Sequence, residues 1–89
     1  MAAQDPFNIL KYPLSTEKAV RQMEADNKLI FIVMRDASKK QIKWAVQKAF
    51  KAKVQAVNTV IMHNGKKKAY IKLSPETPVS EITTQLGLV

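Results

Sequence analysis

The sequence predicts one small α+β domain, a sandwich of helices on a sheet of the split β-α-β kind, and three observations carry that prediction. Residues 54–73, VQAVNTVIMHNGKKKAYIKL, hold two runs of strand character around Asn64-Gly65, the strongest short-range hairpin signal. Residues 28–35, KLIFIVMR, set Leu29, Phe31 and Val33 on one side and Ile30, Ile32 and Met34 on the other. A strand apolar on both sides lies inside a sheet covered on both faces. Helical periodicity fills the segments between and after these strands. With 89 residues the chain holds one domain, 1–89, and one modest core.

The lead-in, residues 1–9, has no periodicity and reads as irregular. Residues 9–14 (ILKYPL) form a short edge strand that Pro13 ends. The next helix, 16–26, takes Ser15 or Thr16 as N-cap and Glu17 in its first turn, where a carboxylate suits the helix dipole. Its stripe is Ala19, Val20 and Met23, and Asn27 stops it. Residues 38–50 give the strongest helix. Ser38 and Gln41 make a capping box, and Ile42, Ala45, Val46, Ala49 and Phe50 share one stripe. Trp44 falls opposite that stripe, among Lys40, Gln47, Lys48 and Lys51, where it either meets a partner or folds over lysine stems. After the hairpin, SPETP is a loop with Thr77 as N-cap and Pro78 at the first helical position. Val79, Ile82 and Leu86 then make a short amphipathic helix that Gly87 closes. If the second hairpin strand inserts beside strand 28–35, it is central and antiparallel to both neighbours.

A two-residue loop at Asn64-Gly65 sets the expected register. It opposes His63 to Lys66, Ile61 to Lys68, Thr59 to Tyr70 and Val57 to Lys72. One face then carries Lys66, Lys68, Tyr70 and Lys72, and the other packs Val54, Ala56, Val60 and Met62 against Ala69, Ile71 and Leu73. That register also puts Asn58 on the apolar face, where a buried amide needs partners.

Charge is strongly segregated. The net charge is +8, yet residues 1–36 balance and residues 37–73 hold ten lysines and no acid. Such a distribution points to a polyanion, nucleic acid ahead of a membrane surface or a merely solvated lysine face. No apolar run approaches the ~20 residues of a membrane span, so no membrane insertion is expected. The N-terminus lacks the basic and apolar regions of a secretory signal. The absence of cysteine excludes disulfides and cysteine metal sites and fits a cytoplasmic setting.

An enzyme finds no support. His63 is the single histidine, the acids are scattered, and two glycines cannot make a phosphate-cradling loop. The expectation is a non-enzymatic protein with no cofactor and no metal site. RNA suits the residues better: lysines neutralise phosphates, and Trp44 or Tyr70 offers a ring to an unpaired base. Lysine lacks the guanidinium fork that reads guanine edges, which favours RNA shape and backbone over DNA sequence. The run Lys66-Lys67-Lys68 forms a basic prong at the hairpin tip, or else a solvated edge that discourages aggregation.

Five segments together resemble a known family: ILKYPLSTEKA, NKLIFIV, KKQIKWAVQKAF, VQAVNT and NGKKKAYIKL. In that order they look like the universal large-subunit ribosomal protein number twenty-three in its archaeal form. The resemblance implies a four-stranded sheet of order 1-2-4-3. It implies a structural role binding large-subunit rRNA beside the polypeptide exit tunnel, against neighbouring ribosomal proteins. It further implies a docking platform for signal recognition particle and other nascent-chain factors. The RNA-binding set is then Lys11, Tyr12, Lys18, Lys39, Lys40, Lys43, Trp44, Lys66, Lys67, Lys68, Tyr70 and Lys72. In bacterial relatives the Glu of the Thr-Glu-Lys motif contacts a chaperone, which makes Glu17 a factor-docking candidate here. Bacterial relatives also extend the hairpin loop into the tunnel, whereas Asn64-Gly65 closes this one at once. The competing expectation is a free-standing basic adaptor that binds acidic protein partners.

Overall fold

The computed structural model describes residues 6–87; the first five residues of the expected lead-in lie outside them. The remainder of the lead-in is a helical turn, α1 (Pro6–Ile9), rather than irregular chain. Packing overrides the missing periodicity there, because α1 docks on the following long helix and Ile9 becomes buried. Then follow β1 (Leu10–Pro13), α2 (Glu17–Asp26), β2 (Lys28–Val33), α3 (Lys39–Phe50), β3 (Val54–Ile61), β4 (Lys67–Leu73) and α4 (Val79–Gln85). The sheet order is β1-β2-β4-β3 with every neighbouring pair antiparallel, so β4 is central as expected.

The two sides of β2 explain the layering. Leu29, Phe31 and Val33 join Ala69 and Ile71 on one face, where α3 lies and the Phe31 and Phe50 ring centroids are 5.9 Å apart. Ile30 points to the opposite face, beside Ala19 of α2. The Ser38–Gln41 capping box holds as expected, with Gln41 N to Ser38 Oγ at 3.2 Å and Ser38 N to Gln41 Oε1 at 2.8 Å. β3 is an edge strand without a charged residue, and its last two residues, Val60 and Ile61, are 48% and 50% exposed.

The hairpin register differs from expectation by one residue. Met62 N donates to Lys66 O at 2.8 Å, so the loop is His63-Asn64-Gly65, and Gly65 N closes a turn onto Met62 O at 2.9 Å. Gly65 takes φ +84° while Asn64 stays out of the left-handed region. A type I′ turn needs positive φ at both residues. A three-residue loop with a glycine bulge needs it only at the glycine. Asn64 instead uses its side chain, Oδ1 accepting from Lys66 N at 3.0 Å. The slip turns the β3 side chains from Ala56 onward to the other face relative to β4. A register shift between Val54 and Ala56 leaves Val54 opposite Leu73 in the core, as expected. Val57 now pairs with Ile71, and Asn58 pairs with Tyr70 on an exposed site, which removes the buried amide that the two-residue loop implied.

Asn27 does more than end α2. It adopts the left-handed conformation (φ 52°), and its Nδ2 donates to the carbonyls of Leu73, Ser74 and Thr77 at 3.4, 3.1 and 3.3 Å. Its Oδ1 accepts from Val79 N at 2.7 Å, capping α4 from a distant part of the chain. Thr77 is therefore not the N-cap. Pro78 holds that position without a side-chain bond, and the Thr77 hydroxyl accepts from Lys53 N at 3.2 Å.

Candidate nucleic-acid interface

The lysines of the hairpin tip part company because successive strand residues face opposite ways. Lys66 reaches β1, its ammonium donating to the Tyr12 hydroxyl at 3.1 Å and lying 5.7 Å from the ring centroid. Lys67 turns toward the loop before α3 and donates to Ala37 O at 2.6 Å, with a longer contact to Arg35 O. Lys68 lies over Tyr70, 5.0 Å from its centroid. Across the sheet Tyr12, Ile32, Lys68 and Val60 form one row, and Lys72 extends the same face toward Lys28 and Ala56. Lys18 of α2 borders the depression that Lys68 and Tyr70 also line.

A second group sits on α3. Lys39, Lys40 and Lys43 are exposed, and Trp44 is 37% exposed, while Ile42, Ala45 and Val46 face the core. The first turn of α3 holds no acid. Two lysines at the positive end of a helix dipole disfavour the helix by a few tenths of a kcal/mol, roughly, and a phosphate there would reverse the sign. The link from Lys67 to Ala37 O joins this group to the hairpin tip.

Of the ten lysines of residues 37–73, Lys53 alone forms an ion pair among the described residues, with Glu76. The other nine meet no carboxylate among the described residues, an arrangement that suits a polyanionic partner. Glu17 stands apart at the start of α2, exposed and 2.6 Å from Arg21. An exposed pair of this kind contributes ~0–1 kcal/mol and yields readily to another partner. Among the described residues no cluster of His, Asp or Glu could hold a metal ion, and no helix is long and apolar enough to cross a membrane.

Residues 8–77 match the family model described as Ribosomal protein L23. The chain belongs to that family. It is accordingly a structural, non-catalytic constituent of the large ribosomal subunit, with rRNA and ribosomal proteins as partners and the cytoplasmic ribosome as its place. The matched span runs from the end of α1 to the loop before α4, so it includes the whole sheet and both basic groups.

One basic residue beside the hairpin tip is not evident from the sequence. Arg35 follows β2 at the same end of the sheet as the hairpin tip, and its guanidinium lies against Gly65. The signal is present in principle: if β4 is antiparallel to β2, the second residue after β2 meets the second residue before β4. Only the pairing itself makes that visible.

Proposed function

We propose that the chain anchors to large-subunit rRNA beside the polypeptide exit tunnel, through Lys66 and Lys68 at the hairpin, Lys39, Lys40 and Lys43 with Trp44 on α3, and Lys11, Lys18, Tyr70 and Lys72 on the sheet face. Nine lysines that meet no carboxylate among the described residues, interleaved with exposed rings, carry the reading. Lysine-rich surfaces bind phosphates and release counterions, and the rings add sequence-tolerant stacking. Lys67 supports the hairpin through backbone carbonyls. A three-residue loop leaves no extension to reach into a tunnel, which supports the archaeal type.

The test is affinity for large-subunit rRNA as a function of salt. Replacing both Lys66 and Lys68 by alanine is expected to flatten the log–log slope by about 0.7–0.9 for each phosphate no longer neutralised. An unchanged slope sinks the proposed interface at the hairpin. The platform for signal recognition particle and other nascent-chain factors includes Glu17, whose exposed carboxylate on α2 pairs with Arg21. Ribosomes carrying Glu17→Lys are expected to bind signal recognition particle several-fold more weakly. Equal binding removes Glu17 from the platform.

A further inference from the structure

We infer that the cleft between β1 and the hairpin tip seats one unpaired, extruded nucleotide of the rRNA, its base against Tyr12 and its phosphate between Arg35 and Lys66. The inference rests on the rRNA reading above and names a ligand for one part of that surface. The cleft has a volume of about 310 Å³. That is the low end of the range for ligand pockets, which suits a single base rather than a larger group.

Its walls divide by chemistry. The rim is basic, with Lys11, Arg35 and Lys66, and none of the described lining residues is acidic. Beneath them lies Ile32, which is 2% exposed yet stands outside the contiguous core cluster, buried at the cleft instead. Tyr12 shares Ile32's sheet face through direct pairing and keeps 42% of its surface exposed. The hydrogen bond from Lys66 holds the ring by its hydroxyl, so the platform is oriented before any ligand arrives.

Two backbone irregularities make the cleft. The register of β1 against β2 shifts between Leu10 and Tyr12, which puts Lys11 on the rim and Tyr12 over Ile32. At the opposite wall Gly65 takes φ +84°, and a Cβ added there would lie 3.9 Å from Arg35 Nη1, filling the space beside the guanidinium.

An apolar floor and an aromatic wall under a cationic rim do not match a duplex. An A-form helix offers phosphates and 2′-hydroxyls on its accessible surface and keeps its bases stacked inside. They match an unstacked nucleotide, whose base wants a ring and whose phosphate wants a cation. Arg35 adds what lysine lacks, a planar fork able to hold two phosphate oxygens at once.

The experiment measures binding of the full chain to protein-free large-subunit rRNA across a salt series, with thermal unfolding followed by circular dichroism as a check on folding. Tyr12→Leu is expected to weaken binding by about 5- to 150-fold, the span of one base–aromatic stack, with the salt slope unchanged because no charge is removed. Tyr12→Phe keeps the ring and is expected to stay within about threefold of the parent. Arg35→Gln is expected to lower affinity and flatten the slope by about 0.7. Parent-like binding by Tyr12→Leu overturns the inference. So does weakening by Arg35→Gln alone, which would mean the cleft holds phosphate only. Photocrosslinking of the unmodified protein, which needs no variant to fold, is expected to place a nucleotide adduct at Tyr12; adducts confined to α3 would also overturn it. If the Lys66 and Lys68 alanine variants leave the slope unchanged as well, the rRNA reading fails, and not the seat alone.

Discussion

The two ends of β4 are built on opposite terms. At the Leu73 end nearly every polar group is answered within the chain. Leu73 N donates to Asn27 O at 3.1 Å, Ser74 N to Lys53 O at 2.9 Å, and the Asn27 side chain gathers three carbonyls and one amide. Even the local lysine, Lys53, has its carboxylate in Glu76. At the Lys67 end the backbone of the turn is satisfied by Met62, Asn64 and Lys66. The ammonium groups of Lys66 and Lys67, however, meet neutral oxygens and, among the described residues, no carboxylate. One end of the strand secures the fold, and the other holds charge ready for a partner. Stability and binding can therefore be altered separately, although a strand of seven residues carries both ends.

The strongest way to break this contrast is at Asn27. Asn27→Ala leaves three carbonyls and the Val79 amide without their partner and forces alanine into a left-handed conformation. The expected destabilisation is about 2–4 kcal/mol in urea unfolding, with no change in the salt slope of rRNA binding by the folded protein. Asn27→Gly relieves the backbone but not the hydrogen bonds, so its stability should fall between parent and alanine variant. A destabilisation below about 0.5 kcal/mol for Asn27→Ala would place the residue with ordinary surface sites.

Lys67 sharpens the comparison from the other end, since it sits among the binding lysines but behaves as a tie. Lys67→Met keeps the aliphatic stem and removes the ammonium that Ala37 O accepts. It is expected to lower stability by about 1–2 kcal/mol while leaving the salt slope of rRNA binding at the parental value. A flattened slope would return Lys67 to the phosphate-contacting set. The smallest effect should come from Lys51, which ends α3 with φ 53°, a conformation that disfavours a side chain. Lys51→Gly trades that strain against a more flexible unfolded chain, for a net gain of up to about 1 kcal/mol by the same unfolding measurement.

The contrast also explains what the sequence could reveal. Local rules found the elements: the double-sided apolar pattern of β2, the Ser38–Gln41 box and the stripe of α3 each depend on residues within a few positions. Trp44 was legible for the same reason, because helical spacing alone sets it opposite the buried stripe. The hairpin register was not, since Asn-Gly serves a two-residue and a three-residue loop equally well. Choosing between them depends on the φ of one asparagine, whose side chain can satisfy the turn without entering the left-handed region. Local rules found Asn27 as the stop of α2, but its long-range ties, and those of Arg35, were beyond them. Each acts on residues distant in sequence, Asn27 on Leu73 through Val79 and Arg35 on Gly65, and no periodicity encodes a partner that the fold must first deliver.

β3 has a consequence for the chain before it is assembled. Its eight residues, VQAVNTVI, carry no charge and no proline, and its outer edge has no strand beside it. Edges of that composition template pairing between copies. What opposes them here is mutual repulsion between molecules that each carry a net charge of +8. Repulsion of this kind is screened within about 8–10 Å at physiological salt, whereas strand pairing acts at close range and is screened little. The solubility of the unassembled chain thus falls as ionic strength rises, and the lysines proposed to bind rRNA also keep its copies apart.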